Sequence, residues 1–564
     1  MKAKRISKGI CLIAALSLCL CGCSSDDNGS SASGGSSVSD ETAGEISAET
    51  SQGADETAEM FTDRDMRNEY NESECIVIEF DASSISCESE QAEITDSVIT
   101  IKEGGNYILR GNLDDGMVIV EAGDDEKVQL ILDNVSINCD TSAAIYVRQA
   151  DKVFITTAEG SKNILTGGKS YEAIDDNNID ATIFSKSDLT LNGLGELAVT
   201  SESGHGIVSK DDLKITSGAI TVTSADHGIS GKDSVRIAGG SIDITCVEDG
   251  IHSENNDDPE KGFVYIQDGE ITIEAGDDGI HAGLTLTIVE GSIDITNSYE
   301  GLEGLGIEIL GGDISLVSKD DGLNAASSSD TGSNNQEGGS ELNQDMVPGM
   351  NHDNIHQKPG MNQQEMPEDF NPEEMQDNLH PADMPQDFAA NDMHNNHGNG
   401  MGGGGKGGMD VQEDAYILIS GGSLYINAEG DGIDSNGIFT MTGGTVYVDG
   451  PQNGGNGALD YGISASITGG TIVAVGASGM AENFTQAENQ AAVMITFSGV
   501  EKGTEIAIYD NDGNKLVSFT AAKQFDSAII SCPELQTGNS YIIRVDDRET
   551  EINIESSVSR FSGI

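Results

Sequence analysis

Seven short segments of this chain place an acid or a histidine directly before a glycine and an aliphatic residue. They are His205-Gly206-Ile207, His227-Gly228-Ile229, Asp249-Gly250-Ile251, Asp278-Gly279-Ile280, Glu300-Gly301-Leu302, Asp321-Gly322-Leu323 and Asp431-Gly432-Ile433. Glycine to glycine, the spacings are 22, 22, 29, 22, 21 and 110 residues. Glu248, Asp277 and Asp320 thicken the acidic positions from the preceding residue. Carboxylates brought close together repel unless they are protonated, well solvated or neutralised by a cation. If the repeat stacks them, Asp249, Asp278, Glu300, Asp321 and Asp431 form a column that suits Ca2+, which takes six to eight oxygens in flexible geometry. The alternative is a solvated corner, because Asp-Gly is also good turn chemistry.

The histidines belong to the same pattern. His205 and His227 stand where the acids stand, whereas His252 and His281 follow the aliphatic residue. His252 and His281 are expected in adjacent repeats, facing outward near the carboxylates, as hydrogen-bonders to a ligand or to the acids. A transition metal is the alternative use for such side chains.

The elements that position these groups must repeat with the same period. A second marker keeps the beat, with "SGAITV" at 217, "GGSIDI" at 239, "DGEITI" at 268, "EGSIDI" at 290, "GGDISL" at 311, "GGSLYI" at 421 and "GGTVYV" at 443. Each reads as a turn followed by a strand with alternating apolar positions. A period near 22, made of short β-branched strands between Gly/Asx corners with no helical stretch, fits one coil of a parallel β-helix. Equivalent residues of successive coils then lie about 4.8 Å apart, the aliphatic position pointing into the core. The first long gap holds "NNDDPEKG", an insertion into one coil.

Composition agrees with a repetitive all-β chain. Among 564 residues there are 71 Gly and no Trp, and aromatics make up 4%. With 28 Lys+Arg against 97 Asp+Glu, the formal charge of −69 repels phosphate backbones and excludes nucleic acid as a partner. Nine cysteines show no CxxC pattern, and four of them lie at or before Cys23, so a zinc-cysteine site is not indicated. Cys75 and Cys87 are close enough in sequence to bridge, while Cys139 and Cys246 read as buried strand residues.

Residues 1–23 carry a basic start, an apolar "ICLIAALSLCL" and then "LCGC", which resembles a bacterial lipobox with Cys23 as the lipidated residue. The membrane partner would then be reached through that lipid alone, at the extracellular face of the cell membrane. Residues 24–60 read as a Ser/Gly/acid-rich tether. The β-helix is expected over 61–326 and 411–490, the earliest coils being less regular, as at a capped end. Between them, 327–410 holds nine of the 16 Met, five of the nine His and six of the nine Pro, and reads as a disordered insertion. Its interleaved Met and His are a copper-binding alternative. Residues 491–564 alternate around hairpin turns as a small C-terminal β module, in which "DNDGN" at 510 is a turn rather than an EF-hand loop.

The lipobox, the "DGI" corners, the "GGSIDI" strands and the tail "GTEIAIYDNDGNKLVSFTAAKQF" together resemble bacterial surface proteins of the carbohydrate-binding domain-containing family. The resemblance covers roughly residues 70 to 555. It implies a right-handed, pectate-lyase-like parallel β-helix, calcium-containing sites, and binding of cellulose or acidic polysaccharides such as polygalacturonate. Thinly spread Tyr and Phe support crystalline cellulose weakly. An acidic glycan requires calcium to bridge its carboxylates to those of the protein. Two other classes stay open: a calcium-stabilised stalk or adhesin, and a lyase, which needs a base. Arg148, Arg236, Lys210 and Lys232 are the few basic candidates on the coils, and a non-enzymatic binder is the expected reading.

Overall fold

A computed structural model describes residues 60–327 and 411–563. Cys23, the tether up to residue 59 and nearly all of the 327–410 insertion lie outside the described residues. The described chain is all-β. Helix is confined to a 3-10 turn at Glu72–Glu74 and to Met60, and none of it is long and apolar enough to cross a membrane.

A repeat folds into three short strand segments, the first two running on as one strand in Ile280–Ile288 and Leu302–Ile309, and the segments pair in parallel with their counterparts one repeat later. The first ladder runs through the corner motif. Ile183, Ile207, Ile229, Ile251, Ile280, Leu302, Leu323, Ile433 and Leu459 stand directly opposite one another, and all are fully buried. No single repeat can bury these side chains. Stacking joins them into one continuous core with the aliphatic residues of the other two ladders. The third ladder carries the "GGSIDI" strands, with Ile220, Ile242, Ile271, Ile293 and Ile314 in register. The glycine that opens each of these strands, such as Gly240 at φ 111° and Gly269 at φ 139°, occupies backbone space that a side chain disfavours.

Pairing continues across the 327–410 segment without a skipped rung. Ser423–Ala428 pairs with Asp313–Ser318, and Ile433–Ser435 with Leu323–Ala325.

The large sheet is mixed, whereas the repeat alone predicts uniform parallel pairing. At the start, Ile76–Ala82 with Ser84–Cys87 and Ala92–Thr95 with Val98–Ile101 form antiparallel hairpins. At the end, Thr471–Gly476 pairs antiparallel with Phe525–Cys532, which also pairs with Ala491–Val500. Antiparallel strands at both ends cover edges that would otherwise template further pairing. Residues 491–564 therefore contribute to two sheets. The separate one has four antiparallel strands, Glu505–Tyr509, Lys515–Thr520, Ser540–Val545 and Arg548–Asn553. Asp510 closes its first hairpin by accepting the amides of Asp512 at 2.9 Å and Asn514 at 2.8 Å.

The N-terminal segment seals the second ladder. Asp65 is fully buried there, 2.7 Å from Lys152 Nζ and accepting from Thr190 Oγ1 at 2.9 Å. Burial opposes its charge, but Lys152 and Thr62 outweigh burial and hold the carboxyl well below its usual range. Cys75 and Cys87 are free thiols in this structure, and Cys139, Cys246 and Cys532 are buried.

Candidate functional site

The corner glycines explain how the acidic residues come so close. From Gly206 to Gly322 the corner glycine amides donate to the carbonyl of the acid or histidine one repeat later, as from Gly250 to Asp278 at 2.9 Å and from Gly279 to Glu300 at 2.9 Å. A Cβ on Gly250 or on Gly279 would stand 2.6 Å from the next glycine's carbonyl oxygen. Only a residue without a side chain allows the corners to stack at strand spacing.

Stacking also gives the polar side chains a structural task. Five of the side chains before the glycines accept the backbone amide of the counterpart one repeat later: His205 Nδ1 from His227 at 3.2 Å, His227 Nδ1 from Asp249 at 3.1 Å, Asp249 Oδ1 from Asp278 at 3.0 Å, Asp278 Oδ1 from Glu300 at 3.3 Å, and Asp321 Oδ1 from Asp431 at 2.6 Å. Buried amides require such partners.

A second polar column flanks the buried aliphatic residue on its other side. His252, His281, Glu303, Asn324, Asp434 and Asp460 follow that residue and are in register. The two columns meet along one edge, which divides into a histidine-rich end and an all-carboxylate end.

At the histidine-rich end the rings of His205, His227, His252 and His281 stack, with centroids 5.0, 4.2 and 5.0 Å apart. Asp249 is 5% exposed. Its Oδ2 lies 2.7 Å from His252 Nδ1 and 3.2 Å from His227 Nδ1, and Glu248 reaches His227 Nε2 at 3.3 Å. Burial raises the Asp249 pKa, but the imidazoles of His227 and His252 beside it outweigh burial and hold it far below the usual range. His281 Nδ1 lies 2.5 Å from Glu303 Oε2 and 3.4 Å from Asp278 Oδ2. Burial disfavours charge on His281, but these two carboxylates raise its pKa well above the ordinary value. Asp278 is pushed up to about 9 by burial and by neighbouring Glu303 and Asp249. Glu303 is held low, because its bonds with His281 and Asp278 overcome burial.

At the carboxylate end, oxygens of Asp321, Asp431 and Asp434 all lie within 4.8 Å of one another. Burial, then repulsion from Asp431 and Asp434, raises Asp321 well above its usual range. Burial is also the first reason that Asp431 and Asp434 are pushed up to about 7, with Asp460 among the neighbouring charges. Glu300 is pushed up to about 8 by burial and by Glu303, and accepts from Asn324 Nδ2 at 2.8 Å. Asp434 is 9% exposed, and its Oδ1 has no hydrogen-bond partner. A buried carboxylate oxygen without a donor, facing two further carboxylates, is a costly arrangement that a hard cation relieves. This all-oxygen set has the chemistry of a calcium site. The other end adds imidazole nitrogen, which calcium does not select.

The eight acids singled out by spacing thus separate into two environments. Asp249 and Asp278, with Glu248 and Asp277 alongside, lie among the histidines. Asp321 and Asp431 form the carboxylate cluster, near Asp320 and next to Glu300 in the column. His252 and His281 lie in adjacent repeats beside carboxylates and are mostly buried. The spacing argument missed Glu303 and Asp434. Their signal is the fourth motif position, which is polar from Ser230 through Asp434.

Three of the four basic candidates are ion-paired: Arg148 with Glu121 and Asp175, Arg236 with Asp212, and Lys232 with Asp257. Lys210 lies over the Phe184 ring at 5.5 Å. Tyr299 is 44% exposed and stands one residue before Glu300, with the Asp320 carboxylate pushing its pKa up to about 12.

A model of the family described as "Carbohydrate-binding domain-containing protein" matches residues 95–340. A protein of that description from Acetivibrio thermocellus is 41% identical over 222 residues, which is 39% of this chain and 78% of that protein. A solved structure, the gadolinium derivative of the polysaccharide lyase-like protein from C. thermocellum, is 35% identical. The match covers 42% of this chain and 93% of that one, with a TM-score of 0.38.

Proposed function

The chain belongs to the carbohydrate-binding domain-containing protein family, and from that premise we propose that it is a surface-anchored, calcium-dependent carbohydrate-binding protein. The observation that carries the calcium reading is the cluster of Asp321, Asp431 and Asp434 with its unpartnered buried oxygen. Calcium held there supplies positive charge to an edge of a chain whose formal charge is −69. An acidic, polygalacturonate-like glycan is then attracted rather than repelled, through its own carboxylates. A neutral, cellulosic glycan gains less from that charge and depends on flat apolar contact, which Tyr299, an exposed ring one residue before Glu300, can offer.

Other parts of the reading concern placement and architecture. The lipobox resemblance supports lipidation at Cys23 and display at the extracellular face of the cell membrane. The parallel pairing of successive repeats supports a parallel β-helix capped by antiparallel strands, and the family resemblance supports its right hand.

Binding without catalysis is preferred to a lyase because Arg148, Arg236 and Lys232 are already charge-paired. A calcium-stabilised stalk is the second reading, favoured by the ladder of side chains that hold backbone amides. Incubation of the full chain with polygalacturonate separates the three. Calcium-dependent retention without unsaturated products supports binding, unsaturated products mean a lyase, and neither means a stalk.

A further inference from the structure

Asp278, His281 and Glu303 meet in a way that the carbohydrate reading does not use. The three come from two successive repeats, and the parallel register sets His281 directly opposite Glu303. One ligand atom from each lies within 4.8 Å of the others. His281 Nδ1 is 3.4 Å from Asp278 Oδ2 and 2.5 Å from Glu303 Oε2. In a tetrahedral zinc site, bonds of about 2.0–2.2 Å place neighbouring ligand atoms about 3.3 Å apart. The observed separations lie near that edge length, and the shorter one needs to open by less than about 1 Å. Asp278 and Glu303 are buried and His281 nearly so. Two carboxylates and one imidazole give the two negative charges and the nitrogen that a borderline divalent ion favours. His252 stacks on the His281 ring at 5.0 Å and fixes its plane, and a locked ring is a condition for a metal ligand.

The geometry points to a zinc-class metal site at Asp278, His281 and Glu303, distinct in ligand chemistry from the all-carboxylate cluster. Imidazole nitrogen separates the two, because calcium selects oxygen and zinc accepts both. The site does not depend on carbohydrate binding, and its failure would leave the calcium reading intact.

The test uses the full chain, stripped of metal and dialysed against zinc in the presence of excess calcium. Zinc retained per chain is compared between the wild type and His281→Gln. The five histidines of the 327–410 segment are the same in both, so any zinc they hold cancels. The expected result is the loss of one zinc per chain in H281Q, with unchanged circular dichroism. Equal retention overturns the proposal. Should H281Q fail to fold, an anomalous difference map of zinc-soaked wild-type crystals decides. A peak between the three side chains supports the site, and no peak there overturns it.

Discussion

Asp249 and Asp278 are joined across the gap between two repeats: the Asp278 amide donates to Asp249 Oδ1 at 3.0 Å, while Asp249 Oδ2 lies 2.7 Å from His252. One buried carboxylate thus holds a backbone amide and an imidazole from two neighbouring turns of chain. Asp249→Ala leaves both without a partner and is expected to cost about 3–5 kcal/mol, the range for breaking a buried pair. Asp249→Asn keeps an acceptor for the amide and should cost about 1–2 kcal/mol. Urea unfolding of the two variants measures the difference, and equal losses would argue against the amide bond.

Gly279→Ala tests the close stacking of the corners. Its new methyl would meet the Gly301 carbonyl oxygen and Ile295 Cδ1, each at 2.6 Å. Moving a packed corner is expected to cost about 1–3 kcal/mol, read as a lower urea midpoint with unchanged slope.

Much of this arrangement was legible in the sequence. The period was visible because a repeat that cannot bury its own apolar face must place Ile or Leu at one fixed position, and Ile251, Ile280 and Leu302 do stand opposite one another. The second column was only partly legible. Ser230, His252, His281, Glu303, Asn324 and Asp434 share a polar place but not a residue type, so the sequence hints at the column through its two histidines and the pairing register reveals the rest. The stack of His227 on His252 was hidden for a related reason, since the two occupy different positions of the motif. The burial of Asp65 against Lys152 is non-local, and no periodicity reports it.

Asp434→Asn should have opposite effects with and without calcium. It removes one of the mutually repelling buried carboxylates, so the melting temperature rises in a chelator. It also removes a ligand charge, so the stabilisation gained on adding calcium shrinks. Calorimetry with and without calcium checks both signs.

The same cluster sets a pH dependence. Asp431 and Asp434 are pushed up to about 7, burial being the first cause, and unfolded aspartate titrates near about 3.9. Between these values the folded state binds more protons than the unfolded state, so stability falls as pH rises. His205, held down to about 3 by burial and by His227, acts in the opposite sense, so the informative quantity is a difference between variants. In chelator, wild type should lose more stability than Asp434→Asn from pH 5 to pH 7, and calcium should remove that excess loss. Melting curves at the two pH values measure it.

Tyr299→Ala removes the exposed ring beside the acidic column. If that ring lies against a bound sugar, retention on polysaccharide falls about three- to tenfold, the range for one aromatic contact. Calcium affinity should not change. Affinity electrophoresis in polysaccharide gels reads the first quantity and isothermal titration the second.

The most direct measurement is retention of the full chain on immobilised polygalacturonate, for wild type and Asp434→Asn, in calcium and in chelator. Wild type should be held in calcium and released by the chelator, and Asp434→Asn should be held weakly in both. Retention that survives the chelator, or that is equal for the two proteins in calcium, would contradict a calcium-bridged carbohydrate site on this edge.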